Sequence, residues 1–195
     1  MNKLKEIQKK ETKRIIFNTA LQLFQIEGYD NTTVQTICTS CGIAKGTFYN
    51  YFKSKEDIIR ESFRSGIDDY IQESMTSVDI SSSPVNALIS FINISLQYCK
   101  VVGKRQTTLA FICNLNGALY NNENLLYNDH YNILNLIINE GITTNCWKNS
   151  LYNDEWITLI SSFLNGLMIN WCFSIEDYDL NEKNKKVVSS FVRNL

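Results

Sequence analysis

The stretch from Thr33 to Lys55, TVQTICTSCGIAKGTFYNYFKSK, gathers the side chains of this sequence best suited to a polyanion. Lys45, Thr47, Tyr49 and Asn50 offer an ammonium, a hydroxyl, a phenol and a carboxamide in quick succession. Such groups can donate to phosphate oxygens and base edges. Gly46 lies among them without a side chain, so a duplex can come close to the backbone there. Apolar Val34, Ile37 and Cys38 precede Gly42, and Ile43, Phe48 and Phe52 follow it. Two short helices flanking a turn make a helix-turn-helix, in which the second helix enters the major groove of DNA and the first buttresses it.

Other groupings carry less chemistry. Cys38-x2-Cys41 has the spacing of half a zinc site, but zinc needs about four ligands and no second pair stands nearby. We read the pair as thiols in the helix-turn-helix core, with redox sensing as the alternative. His130, the only histidine, shares a helical stretch with Tyr127 and Tyr131, as a packed or surface residue or as a polar group of a ligand pocket. One histidine argues against a catalytic triad or a histidine metal cluster. Gly-x-Gly-x-x-Gly, Walker-type, Glu-x-x-His and paired-aspartate motifs are missing. The sequence points away from an enzyme and implies no cofactor and no metal. The basic run Lys3, Lys5, Lys9, Lys10, Lys13 and Arg14 reads equally as a phosphate-contacting arm or a solvated helix face.

The elements that must hold these residues are helical. The 195 residues are 44% hydrophobic and 20% charged, a globular mixture long enough for a sizeable core. One proline and eight glycines are too few for the turns of an all-β fold. Ile16, Ala20, Leu23 and Phe24 recur at helical spacing, predicting a first helix over about residues 8–27 that Gly28 stops. Thr33 caps a second helix ending near Ser40, and a third covers about residues 44–50. Ser54 with Glu56 and Asp57 opens a longer helix whose apolar stripe is Ile59, Phe63, Ile67, Tyr70 and Ile71. Ser83-Pro84 opens a helix to about Val102, and helical patterns follow over about 104–117, 122–140, 153–174 and 181–194.

Charge is unevenly placed. Residues 1–60 carry ten Lys/Arg against six Asp/Glu, and the rest carry nine against fourteen, so a net charge of −1 hides a basic head on an acidic body. That distribution is expected if only the head meets a polyanion. Six cysteines with no visible secretory signal favour a reducing, cytoplasmic setting. Trp156–Ile175 is twenty residues without a charge, long enough to cross a bilayer. Ser161, Ser162, Asn165 and Asn170 favour a buried or interface helix instead, with no membrane partner.

The stretch Phe17 to Ile59 resembles the N-terminal domain of TetR/AcrR-type transcriptional regulators. The resemblance is carried by Ala20-x2-Leu23-Phe24, Gly28-Tyr29, Thr32-Thr33-Val34, Gly42-Ile43-Ala44-Lys45-Gly46-Thr47-Phe48-Tyr49 and Tyr51-Phe52-Lys53-Ser54-Lys55-Glu56. It implies that Thr33, Tyr49 and Lys55 meet phosphates, that Lys45 and Thr47 face the groove, and that Phe48 and Phe52 pack. Ala44 stands where the family often has serine, which leaves the recognition helix without a side-chain cap. Cys38 and Cys41 stand where it usually has alanine.

The expected architecture is all-α: a three-helix DNA-binding head, residues 1–53, and a C-terminal bundle, residues 54–195, for ligand binding and dimerisation. The resemblance implies a ligand-responsive repressor acting as a homodimer on a palindromic double-stranded operator. An effector in the bundle would shift the helix that begins at Ser54. The aromatic and uncharged residues Phe91, Tyr98, Phe111, Tyr127, His130 and Tyr131 are candidate pocket residues, suited to an uncharged or weakly polar molecule. Trp156, Ile160, Phe163, Leu167 and Trp171 form one apolar stripe of the 153–174 helix, and Ile157, Leu164 and Met168 another. A helix apolar on two sides must be buried from two sides. Phe163, Gly166 and Leu167, with Val188, Phe191 and Val192 of the last helix, are therefore candidates for the dimer interface. The alternative is an all-helical DNA-binding adaptor without ligand control.

Overall fold

The computed structural model describes residues 2–121, 130–148, 151–176 and 178–195, with side chains described except at 2–4, 117–121 and 130. Among the described residues there are nine helices and no strand: α1 (Asn2–Ile26), α2 (Val34–Cys41), α3 (Lys45–Tyr49), α4 (Lys55–Met75), α5 (Pro84–Val102), α6 (Lys104–Asn121), α7 (His130–Thr143), α8 (Asn153–Phe173) and α9 (Leu180–Arg193). The all-α fold expected from the apolar periodicity is the fold observed.

Three boundaries differ from expectation, and one of them is the end of α6, which runs on to Asn121 past the expected end near residue 117. Helix α1 starts at Asn2 instead of near residue 8. The lysine-rich run holds no breaker, Arg14 pairs with Glu11 at 2.6 Å, and the Thr12 hydroxyl donates to the Gln8 carbonyl at 2.9 Å. Helix α7 runs through Gly141 to Thr143, while residues 122–129 of the helix expected over 122–140 lie outside the described residues. A Cβ at Gly141 would overlap the Trp147 indole. That indole donates to the Ile138 carbonyl at 3.1 Å. The glycine therefore seats a tryptophan across the helix rather than ending it. Asn145, at φ 52, closes the helix in the left-handed conformation.

The chain forms two compact units, Met1–Ser62 and Phe63–Leu195. In the first, α1 packs on α2, and Ile16, Ala20, Ile37, Cys38, Phe48, Phe52 and Ile58 form one buried core. In the second, α5 is central, with α9, α7, α6 and α8 against it. Phe91, Ile92 and Leu96 of α5 meet Ile137, Ile138, Trp156, Ile160 and Val188 in its core.

The phase of the last two helices corrects the sequence reading. The buried face of α8 is Trp156, Ile160, Leu164, Met168 and Trp171, while Phe163 and Leu167 are only half-buried. Val188 and Val192, candidates for contact with a second copy, are 0% and 1% exposed within one protomer. They have no surface left to offer, because α9 lays them along α5. The outward side of α9 carries Lys186, Val187 and Ser190 instead.

Candidate nucleic-acid interface

Local chemistry builds the head's turn. Thr33 caps α2, its hydroxyl oxygen accepting from the Thr36 N–H at 3.0 Å. The other end of α2 closes on Gly42, at φ 66. The Gly42 N–H donates to the Thr39 carbonyl at 3.2 Å and the Ile43 N–H to the Cys38 carbonyl at 3.0 Å. This paired closure is a Schellman motif, which needs the left-handed conformation that glycine adopts at no steric cost. It fixes the angle at which α3 leaves α2. Ala44 precedes α3 and gives it no side-chain cap, as expected.

Helix α3 buries one residue and presents the others. Phe48 is 0% exposed, edge-on to Tyr49 at 5.5 Å and tilted against Phe52 at 5.9 Å. Phe52 also stacks on Phe17 of α1. This aromatic anchor turns Lys45, Gly46, Tyr49 and Asn50 to solvent and leaves Thr47 half-buried. Among the described residues, no hydrogen bond or ion pair engages the Lys45 ammonium or the Tyr49 hydroxyl. A Cβ at Gly46 would meet nothing within 4 Å. The fold itself therefore does not require glycine at this position.

Lys55 is partly engaged inside the head. Its ammonium donates to the Tyr29 carbonyl at 2.7 Å and the Thr32 carbonyl at 2.9 Å, and sits 4.1 Å from the Tyr29 ring centroid. An ammonium has three protons, so one stays available to an outside acceptor. The Tyr29 hydroxyl donates to Glu56 at 2.7 Å. Burial pushes the Glu56 carboxyl up, but hydrogen bonds from Tyr29 and Ser54, its own backbone N–H and the nearby Lys55 outweigh burial and hold it below its ordinary value. Asp57 accepts from the Lys53 N–H at 2.7 Å and the Ser54 N–H at 3.3 Å, and pairs with Arg60. Sequence reasoning missed this node. Its signal was the Ser54-Lys55-Glu56-Asp57 capping start, but the loop carbonyls that Lys55 reaches lie more than twenty residues away.

In the basic run, Lys13 pairs with Glu61 at 2.7 Å and lies 5.3 Å from the Phe52 ring centroid, while Arg14 is held by Glu11. Lys5, Lys9 and Lys10 are exposed.

In the second unit, the pocket candidates Phe91 and Tyr98 are buried, and Phe111 and Tyr131 pack half-buried against the same core. The Tyr98 hydroxyl donates to the Phe63 carbonyl at 3.3 Å, and its ring fills the place a Cβ at Gly66 would take. Burial pushes the Tyr98 phenol up to about 12 and the Cys99 thiol up to about 12. Tyr127 and the side chain of His130 lie outside the described residues. Phe163 and Phe191 stack at 3.8 Å, and with Lys186, Val187 and Ser190 they line a shallow groove on α8 and α9. A Cβ at Gly166 would meet nothing within 4 Å, so that side of α8 is open. Helices α5 and α8 are each long and apolar enough to cross a membrane, and only 28% of the most apolar part of α8 is buried by this chain.

Residues 16–61 match the family described as bacterial regulatory proteins, tetR family. Residues 83–195 match the C-terminal region of MAATS-type transcriptional repressors. The probable acrEF/envCD operon repressor of Escherichia coli K12 is 22% identical over 192 residues, spanning 94% of this chain and 86% of that protein. The fatty acid metabolism regulator protein of Bacillus subtilis is 24% identical over 188 residues, spanning 95% and 96%. The crystal structure of Thermus thermophilus FadR in complex with lauroyl-CoA shares the fold, with a TM-score of 0.66 at 17% identity over 94% of each chain.

Proposed function

Because this chain belongs to the tetR family of bacterial regulatory proteins, with the C-terminal region of the MAATS-type transcriptional repressors, we propose that α3 reads its operator through Lys45, Gly46, Thr47, Tyr49 and Asn50. The chain is a ligand-responsive, DNA-binding transcriptional repressor and works as a dimer. Thr33 and the remaining N–H of Lys55 meet phosphates at the edges of the site, and one α3 enters each half of a palindrome. The observation that carries this reading is the contrast within α3. Its one aromatic anchor is fully buried, while Lys45 and Tyr49 stand exposed beside a glycine that the fold does not need.

Phe163, Gly166, Leu167 and Phe191 form the contact between the two copies, joined by Val187 and Ser190. The support is the open side of α8 and the apolar surface this chain leaves uncovered there. The protein acts by binding and works in the cytoplasm. The effector is a molecule with a long acyl chain, of the acyl-thioester class. Support comes from the full-length likeness to the Bacillus fatty acid metabolism regulator and to the lauroyl-CoA complex of Thermus FadR. The aromatic and aliphatic body would suit the acyl chain.

The test is a mobility shift of the DNA upstream of the protein's own gene, followed by titration with a series of acyl-CoA thioesters. The shift is expected with the protein alone and is lost with long-chain thioesters. A shift that survives the whole series refutes the acyl effector. No shift at all at low salt refutes the operator reading.

A further inference from the structure

We propose that Cys38 and Cys41 form a thiol-oxidation site whose disulfide disables the head. The proposal rests on the operator-binding reading only for its consequence, not for the chemistry. The two residues are one helical turn apart on α2; Cys38 belongs to the head core and Cys41 packs partly buried against it. Cys38 is 1% exposed and Cys41 is half-exposed, so one thiol of the pair can be reached from solvent while the other waits behind it. Residues three apart on a helix share a face. Helix geometry puts their Cα atoms about 5 Å apart, inside the range a disulfide tolerates.

The Cβ atoms do not fit so readily. Helical neighbours three apart hold them about 5–6 Å from each other, whereas a disulfide needs about 3.5–4.5 Å. Bridging must therefore draw in the last turn of α2 by roughly 1–2 Å. That turn is the one whose Cys38 carbonyl receives the Ile43 N–H and whose Gly42 sets the departure of α3. A contraction there re-aims Lys45 and Tyr49 together. In the resting head, burial pushes the Cys38 thiol up, Cys41 adds to this and the Lys45 ammonium opposes it. Burial thus makes the inner thiol reluctant to ionise, which fits it to the second step instead of the first.

The chemistry balances with a hydroperoxide as oxidant. The Cys41 thiolate attacks the outer peroxide oxygen, the O–O bond breaks, and sulfenic acid forms with release of an alcohol or water. The Cys38 sulfur then attacks the Cys41 sulfenic sulfur, the S–O bond breaks, the S–S bond forms, and water leaves with the Cys38 proton. Two thiols and one peroxide give one disulfide, one alcohol or water, and one water. A dithiol reductant reverses it.

The experiment uses the full chain, reduced and then treated with hydrogen peroxide. Trypsin cuts after Arg14 and Lys45, so the peptide 15–45 contains Cys38 and Cys41 and no other cysteine. After blocking with an alkylating reagent, the bridged peptide is expected unalkylated and about 2 Da lighter than its reduced form. In parallel, oxidised protein is expected to bind the upstream duplex at least about tenfold more weakly, with recovery in dithiothreitol. Cys41→Ser and Cys41→Ala should bind as reduced wild type does and ignore peroxide. Double alkylation after peroxide overturns the site. A bridge with unchanged DNA affinity overturns its consequence. If reduced wild type fails to bind DNA, that failure counts against the operator reading, and the peptide mass still decides whether the bridge forms.

Discussion

The head and the body use the same residue types in opposite ways. Gly46 in the head stands beside open space, whereas Gly66 and Gly141 in the body are filled by Tyr98 and Trp147. The Tyr49 hydroxyl is exposed with no partner among the described residues, whereas that of Tyr98 is committed to the Phe63 carbonyl. Three tryptophans are buried in the body, and two of their indoles donate to backbone carbonyls, Trp147 to Ile138 and Trp171 to Tyr178. A glycine or a donor that the fold consumes explains itself by packing. One that the fold leaves unused asks for an outside partner: in the head Gly46 and the exposed donors of α3, and in the body Gly166 on the open side of α8.

This contrast can be broken first on DNA. Lys45→Ala combined with Tyr49→Ala should leave thermal unfolding of the head nearly unchanged. In a dimer it should cost about 2–4 kcal/mol of operator affinity, roughly thirtyfold to several-hundredfold by fluorescence anisotropy. Normal binding by the double variant would remove α3 from the groove. Next, Gly141→Ala forces a methyl into the Trp147 indole. Denaturant unfolding of the body should show a loss of about 1–3 kcal/mol. A neutral result would mean that the indole moves away freely.

Gly46→Ala sharpens the comparison, because its two effects have opposite signs. The head should gain up to about 0.5 kcal/mol from the alanine. Operator affinity should fall all the same, since the methyl stands where the duplex would approach. A variant that is more stable and binds equally well would make Gly46 an ordinary surface position.

The smallest effects concern pH, and they separate the units. The folded Glu56 carboxyl is held below its ordinary value, so its contribution to the head is present above the unfolded carboxyl pKa and is lost as pH falls through the folded one. Glu56→Gln should flatten the acid limb of head stability. Tyr98 is raised from 10.0 to about 12. Its contribution to the body is whole below pH 10 and is lost as pH rises toward 12. Tyr98→Phe should flatten that alkaline limb, read from unfolding midpoints across pH.

What the sequence made legible was local. The Thr33 cap, the Gly42 turn, the missing cap at Ala44 and the buried Phe48 each depend on neighbours within a few residues, and each is where the sequence puts it. What stayed hidden was tertiary. Whether Val188 or Val187 faces inward depends on how α9 lies along α5, and one residue of helix rotates the face by about 100°. The two carbonyls that take the Lys55 ammonium belong to the loop before α2, and nothing in the spacing of Lys55 announces them. The trade of Gly141 for Trp147 is likewise visible only once the chain turns back on itself. In α8, apolar residues on two sides announced burial from two sides but not which stripe belonged to the protomer.

The most direct test of the account is the salt dependence of affinity for a duplex carrying the operator half-sites, measured for wild type and for Lys45→Ala. A dimer neutralising about six to ten phosphates should lose about three to five decades of affinity between roughly 50 and 200 mM salt. Removing one lysine from each protomer should make the log–log slope shallower by about 2. Binding with a flat salt response, or a slope indifferent to Lys45, would contradict the placement of α3 against DNA.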